Sequence, residues 1–86
     1  QMFKEFNQHE IEYFENDVLY MFSDGYYDQF GGPNGKKFKF KQLQELLLAN
    51  SSKPMQEQLD ILTNSFENWK GSLEQVDDVC VVGVRI

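Results

Sequence analysis

The sequence predicts an α+β fold: an antiparallel β-sheet with two helices on one face. Three observations carry it. Apolar runs of strand length lie near both ends of the chain, at Val18–Phe22 and Val79–Val84. Between them, two stretches place apolar residues at helical spacing. The resulting order of strand, strand, helix, helix, strand segregates the helices to one side of a layered sheet.

Residues 2 to 14 read as a strand, with Ile11 and Tyr13 alternating against Glu10 and Glu12. Glu15-Asn16-Asp17 is a turn, so residues 10 to 24 form a hairpin. The strand at 18 to 22 is apolar on both faces, which predicts a central position. Gly31-Gly32-Pro33-Asn34-Gly35-Lys36 is loop. A first helix runs from Phe40 to Ala49 on Phe40, Leu43 and Leu47. Asn50-Ser51-Ser52-Lys53 ends it, and Pro54 suits the first turn of the next. The second helix has the cleanest pattern: Met55, Leu59, Leu62, Phe66 and Trp69 recur at alternating steps of four and three. Lys70 and Gly71 make its last turn and C-cap. Val79 to Ile86 is the closing strand. These strands are too apolar for a sheet with one wet face. An uncovered second face predicts an exposed apolar surface and self-association.

The 86 residues suffice for one small domain, 1–86, which buries only about 60% of its unfolded surface. The chain starts with Gln1 rather than Met and is expected to be cut from something longer. A hydrophobic share of 41% argues for a packed core rather than disorder. The net charge of −6 disfavours nucleic acid, which needs a basic footprint. A lone cysteine, Cys80, excludes an internal disulfide and points to a reducing, cytoplasmic setting. No apolar run approaches the ~20 residues of a membrane span, so this segment is expected to make no membrane contact.

Chemistry concentrates in two acidic signatures, Ser23-Asp24-Gly25 and Asp77-Asp78. The first ends one apolar strand and the second begins another. If those strands are antiparallel, residues more than fifty apart place three carboxylates at one rim. At roughly 5 Å and an effective dielectric near 20, each like-charge pair costs about 3 kcal/mol. A hard divalent cation such as Mg²⁺ or Mn²⁺ offsets that cost. Alone, Asp24-Gly25 is a favoured turn dipeptide, and Asp78 is a charged strand start that discourages aggregation. Together at one rim, Asp24, Asp77 and Asp78 read as metal ligands.

Other candidates read more plainly. Asp28 is a solvated loop acid. Gly31, Gly32 and Gly35 lack the strand–loop–helix context of a phosphate cradle and are turn residues. Lys36, Lys37, Lys39 and Lys41 form the only basic cluster, a solvated approach to a helix. Cys80 inside an apolar strand is a buried structural thiol. His9, the only histidine, is a surface residue, so no His-based triad or zinc site is available.

The stretches Asp17 to Gly25, Lys37 to Leu48 and Asp77-Asp78-Val79-Cys80 through Ile86 together resemble the C-terminal part of a PPM-type serine/threonine phosphatase. The likeness is to the bacterial SpoIIE/RsbU branch, with its Gly-Asp-x-(apolar)-Tyr-Thr/Ser-Asp-Gly strand, its helical middle and its closing Asp-Asp-x-Thr strand. The run from Asp24 to Gly32, with Trp69-Lys70-Gly71 before the last strand, is similar to forms fused to sensor regions. The resemblance implies part of an α-β-β-α sandwich. It implies Asp24 and Asp77 as direct ligands of a two-ion Mg²⁺ or Mn²⁺ centre, with Asp78 a ligand or beside one. It also implies hydrolysis of phosphoserine or phosphothreonine on a protein in bacterial signal transduction, with anti-anti-sigma-type regulators among the substrates.

Two departures bear on that implication. Cys80 stands where the family has Thr. The family's N-terminal half, with its first metal-binding Asp in an Asp-x-x-Gly-His-Gly-like segment, has no counterpart here. A smaller change puts Asn16 where Gly is usual. The isolated chain is therefore expected to bind divalent ions weakly and to turn over nothing. Two rival readings follow: a non-catalytic phosphoregulator-binding or pseudophosphatase module, and a structural α+β domain whose acidic rim holds no metal.

Overall fold

Period-two alternation and β-branched or aromatic side chains make the strands, and their pairing fixes which face each residue takes. In a computed structural model that describes residues 2–7 and 10–86, four strands form one antiparallel sheet. They are β1 (Met2–Asn7), β2 (Glu10–Glu15), β3 (Val18–Ser23) and, after the helices, the closing strand Val81–Arg85. The sheet order is β1, β2, β3, closing strand, so the strand at 18–23 is central. The single strand expected over residues 2 to 14 is instead two. Met2 pairs with Phe14 and Lys4 with Glu12, with an irregularity between Glu5 and Asn7. His9 lies outside the described residues.

A two-residue turn, Asn16-Asp17, joins β2 to β3. Asn16 takes the left-handed conformation at φ 56°, which Asn tolerates better than most residues. Its Nδ2 donates to Ser51 Oγ at 2.7 Å, tying the turn to the loop between the helices. The stretch 31–36, expected as loop, holds a small ribbon: β4 (Phe30–Gly31) pairs with β5 (Lys36–Lys37).

The helices are α1 (Phe40–Asn50) and α2 (Met55–Lys70), followed by β6 (Val81–Arg85), the closing strand. Lys39 precedes α1 at φ 78° and ψ 148°, a region almost reserved for glycine. Pro54 stands at the cap of α2 rather than inside its first turn, and its carbonyl accepts from Gln58 N at 3.0 Å. Gly71 ends α2 at φ 56°, donating to Glu67 O at 3.0 Å. β6 begins two residues later than the expected Val79.

One core joins the layers. Tyr13, Val18, Tyr20 and Phe22 from the sheet pack with Leu43 and Leu47 of α1 and with Leu62 and Phe66 of α2, and Tyr26 and Phe38 complete the cluster. The stripe on α2 is the expected one at Met55, Leu62, Phe66 and Trp69, and departs from it at one position. Leu59 is 51% exposed, and Gln58 takes the buried place beside it at 3%. Gln58 can be buried because its carboxamide is satisfied. Its Oε1 accepts from Tyr20 Oη at 2.5 Å, and its Nε2 donates to Lys53 O at 2.8 Å and Ser51 O at 3.3 Å. Burial pushes the Tyr20 hydroxyl pKa above its ordinary value, against an opposing pull from Arg85. Burial alone pushes Tyr26 higher still; its Oη donates to Leu62 O at 2.7 Å.

The opposite sheet face carries Leu19 and Met21, half-buried, paired with Val84 and Val82. Val82 and Val84 are exposed. No described helix is long and apolar enough to cross a membrane.

Candidate functional site

β3 and β6 run antiparallel, with Phe22 opposite Val81 and Val18 opposite Arg85. This register brings the exit of β3 beside the entry to β6. Beyond the last ladder pair, Ser23 N donates to Cys80 O at 3.0 Å and extends the pairing by one step. The Ser23 hydroxyl then reaches across the rim: it donates to Asp78 O at 3.3 Å and accepts from Cys80 N at 3.1 Å.

Next along β3, the chain turns at Asp24, whose carbonyl accepts from Asp28 N at 2.9 Å. Gly25 has no positive φ to account for it. Its reason is space, because a Cβ there would overlap the Asp78 carbonyl. The Asp-Gly pair is thus a close-approach point between the turn after β3 and the segment leading into β6.

The backbone therefore brings Asp24, Asp77 and Asp78 to one rim. Their side chains do not converge. Asp77 and Asp78 are exposed and Asp24 is half-buried. Asp77 Oδ1 folds back to accept from Asp78 N at 2.7 Å. Among the described residues, no group of three or more His, Cys, Asp or Glu side chains is placed to hold a metal ion. The donor set is all carboxylate oxygen, which suits Mg²⁺ or Mn²⁺ and not a soft metal. Three carboxylates fall far short of the six ligands that each such ion takes.

Neighbouring candidates resolve as follows. Cys80, expected to be buried, is exposed. Its neighbours Val79 and Val81 pack against the core, so alternation turns Cys80 to the opposite face, with exposed Val82. Asp28 pairs with Lys37 at 3.6 Å, both partly exposed, a solvated pair worth little. Lys37 also lies 5.8 Å from the Phe30 ring centroid. Lys36, Lys39 and Lys41 are exposed.

The structure adds one residue that no pattern marked. Gln29 is wholly buried. Its Nε2 donates to Glu74 O at 2.8 Å and Phe30 O at 3.0 Å, and its Oε1 accepts from Val76 N at 3.3 Å. Its own carbonyl accepts from Trp69 Nε1 and Phe38 N, both at 2.9 Å. Ser23 stood inside a recognised motif, but its bridging role rests on a register visible only in the fold.

A family model described as stage II sporulation protein E (SpoIIE) matches residues 2–86. Among solved structures, the SiaA-PP2C domain of Pseudomonas aeruginosa superposes with a TM-score of 0.77 at 26% identity, over 80% of this chain. The match covers 28% of that chain, so this sequence spans well under half of it. Comparison with curated proteins found no match.

Proposed function

This chain belongs to the SpoIIE family, a phosphatase-type domain with the PP2C fold, and we propose that it forms the C-terminal portion of a metal-dependent protein serine/threonine phosphatase. The proposed parent acts in bacterial signal transduction on phosphoserine or phosphothreonine of a regulator protein, an anti-anti-sigma-type protein among the candidates. The observation that supports it most is the β3–β6 register, which sets Asp24 across the rim from Asp78.

Asp24 and Asp77 would hold the ions, with Asp78 completing or supporting the set. When bound, a pair of Mg²⁺ or Mn²⁺ ions supplies Lewis acidity toward the phosphoryl group and the water that attacks it. The chain's own contribution is to fix the rim. Ser23 locks residues 78 and 80 to the end of β3, and Gly25 lets the strands close without a side chain between them. The remaining ligands must come from elsewhere in the parent, so residues 1–86 alone bind divalent ions weakly and turn over no phosphopeptide.

The test is a Mn²⁺ titration followed by thermal unfolding, with a phosphopeptide assay beside it. Mn²⁺ should raise the midpoint, since a ligand of the native state stabilises it, and Asp24→Ala should remove the rise. Robust turnover by the wild-type fragment, or a rise that survives Asp24→Ala, would overturn the proposal. The second reading is a binding module without turnover. It is favoured by Cys80 in place of the family's Thr. Under it, the intact parent would retain a phosphorylated regulator and release no phosphate.

A further inference from the structure

Between α2 and β6 the chain runs from Gly71 to Cys80 with no helix or strand of its own. Residues 71 to 78 are all exposed. Nothing apolar buries this stretch, so hydrogen bonds must set its course. They come from two buried or bridging side chains, one on each side of Asp77-Asp78. Ser23 grips residues 78 and 80. Gln29 grips residues 74 and 76.

We infer that Gln29 is a positioning residue for the Asp77-Asp78 pair, holding the backbone ahead of it so that both carboxylates start from the rim; this rests on the reading of Asp77 as a metal ligand. The geometry is specific. One carboxamide uses both ends at once, Nε2 as donor to a carbonyl and Oε1 as acceptor from an amide two residues on. That pattern matches the spacing of an extended backbone and fixes its direction. Gln29 is itself well anchored: it is wholly buried, and its carbonyl accepts from Trp69 Nε1 and Phe38 N. It also lies five residues beyond Asp24, on the segment that leaves β3. The two halves of the rim are therefore referenced to one rigid group. Without it, the approach to Asp77 is tethered only by exposed contacts, such as Lys70 to Leu73 O at 3.5 Å and Gln75 to Asp77 O at 3.0 Å.

The experiment compares Mn²⁺ affinity, by electron paramagnetic resonance of free Mn²⁺, in the full 86-residue chain and three variants. Gln29→Met keeps the bulk and removes the bonds. Gln58→Met does the same at a site equally buried but bonded to Tyr20 and the 51–53 loop, away from the rim. Asp77→Ala reports on the underlying metal reading. Both Gln variants should unfold at lower temperature. Only Gln29→Met should weaken Mn²⁺, by about tenfold, the lower end of what outer partners of metal ligands contribute. Equal Mn²⁺ affinity in Gln29→Met and Gln58→Met, with Asp77→Ala impaired, overturns the assignment of Gln29 alone. An unimpaired Asp77→Ala overturns both readings. Should Gln29→Met fail to fold, Val76→Pro deletes the Val76 N–H at an exposed position and carries the same expectation.

Discussion

Two single residues give the sharpest tests of this fold. Gly25 sits where a side chain would strike the Asp78 carbonyl. Gly25→Ala forces β3 and the start of β6 apart, an overpacking cost of about 1–3 kcal/mol. At this chain length the thermal midpoint should fall by at least about 4 °C; an unchanged midpoint would show that the rim has slack. Tyr26 gives a pH test. Its pKa is raised by burial above the ordinary 10.0, so the native state holds the proton that the unfolded chain releases. That stability is complete below pH 10 and is lost as pH rises beyond it. Unfolding midpoints from pH 8 to 11.5 should decline above 10, and Tyr26→Phe should flatten that decline while lowering the midpoint at pH 8 through its lost bond to Leu62 O.

At the level of elements, hydrophobic period read the helices well and misassigned one position, Leu59. Phe40 to Ala49 and the helix after Pro54 came out within a residue of the observed ends. Period alone could not distinguish Gln58 from Leu59, because Gln58 is admitted to the core by hydrogen bonds to backbone and to Tyr20. Gln58→Met should therefore destabilise by about 1–3 kcal/mol through unsatisfied buried partners, and Leu59→Gln by less than about 0.5 kcal/mol. Equal losses in urea unfolding would contradict the burial difference. The break between β1 and β2 was illegible because residues 2 to 14 contain no Gly or Pro. The carboxylate rim was legible because antiparallel pairing needs only two strands and their ends. Gln29 was not, since its partners are backbone atoms 45 and 47 residues away.

For the molecule as a whole, the exposed valines of the outer sheet face lead to an expectation about solution behaviour. Val82 is 42% and Val84 47% exposed, beside half-buried Leu19 and Met21. Apolar faces of this kind associate, with the net charge of −6 opposing. Sedimentation should show a concentration-dependent mass that grows with salt, and Val82→Lys with Val84→Lys should reduce it to the monomer. A monomer at every concentration and salt level would count against that expectation.

The pairing of β3 with β6 spans about 60 residues of intervening chain. During synthesis at about 5–20 residues per second, one edge of β3 waits several seconds for its neighbour. Until then Phe22 and its row offer open amides and carbonyls to any other nascent strand. Slow, late closure is the expected kinetic signature, and a ribosome that stalls before Val81 leaves a template for misassembly.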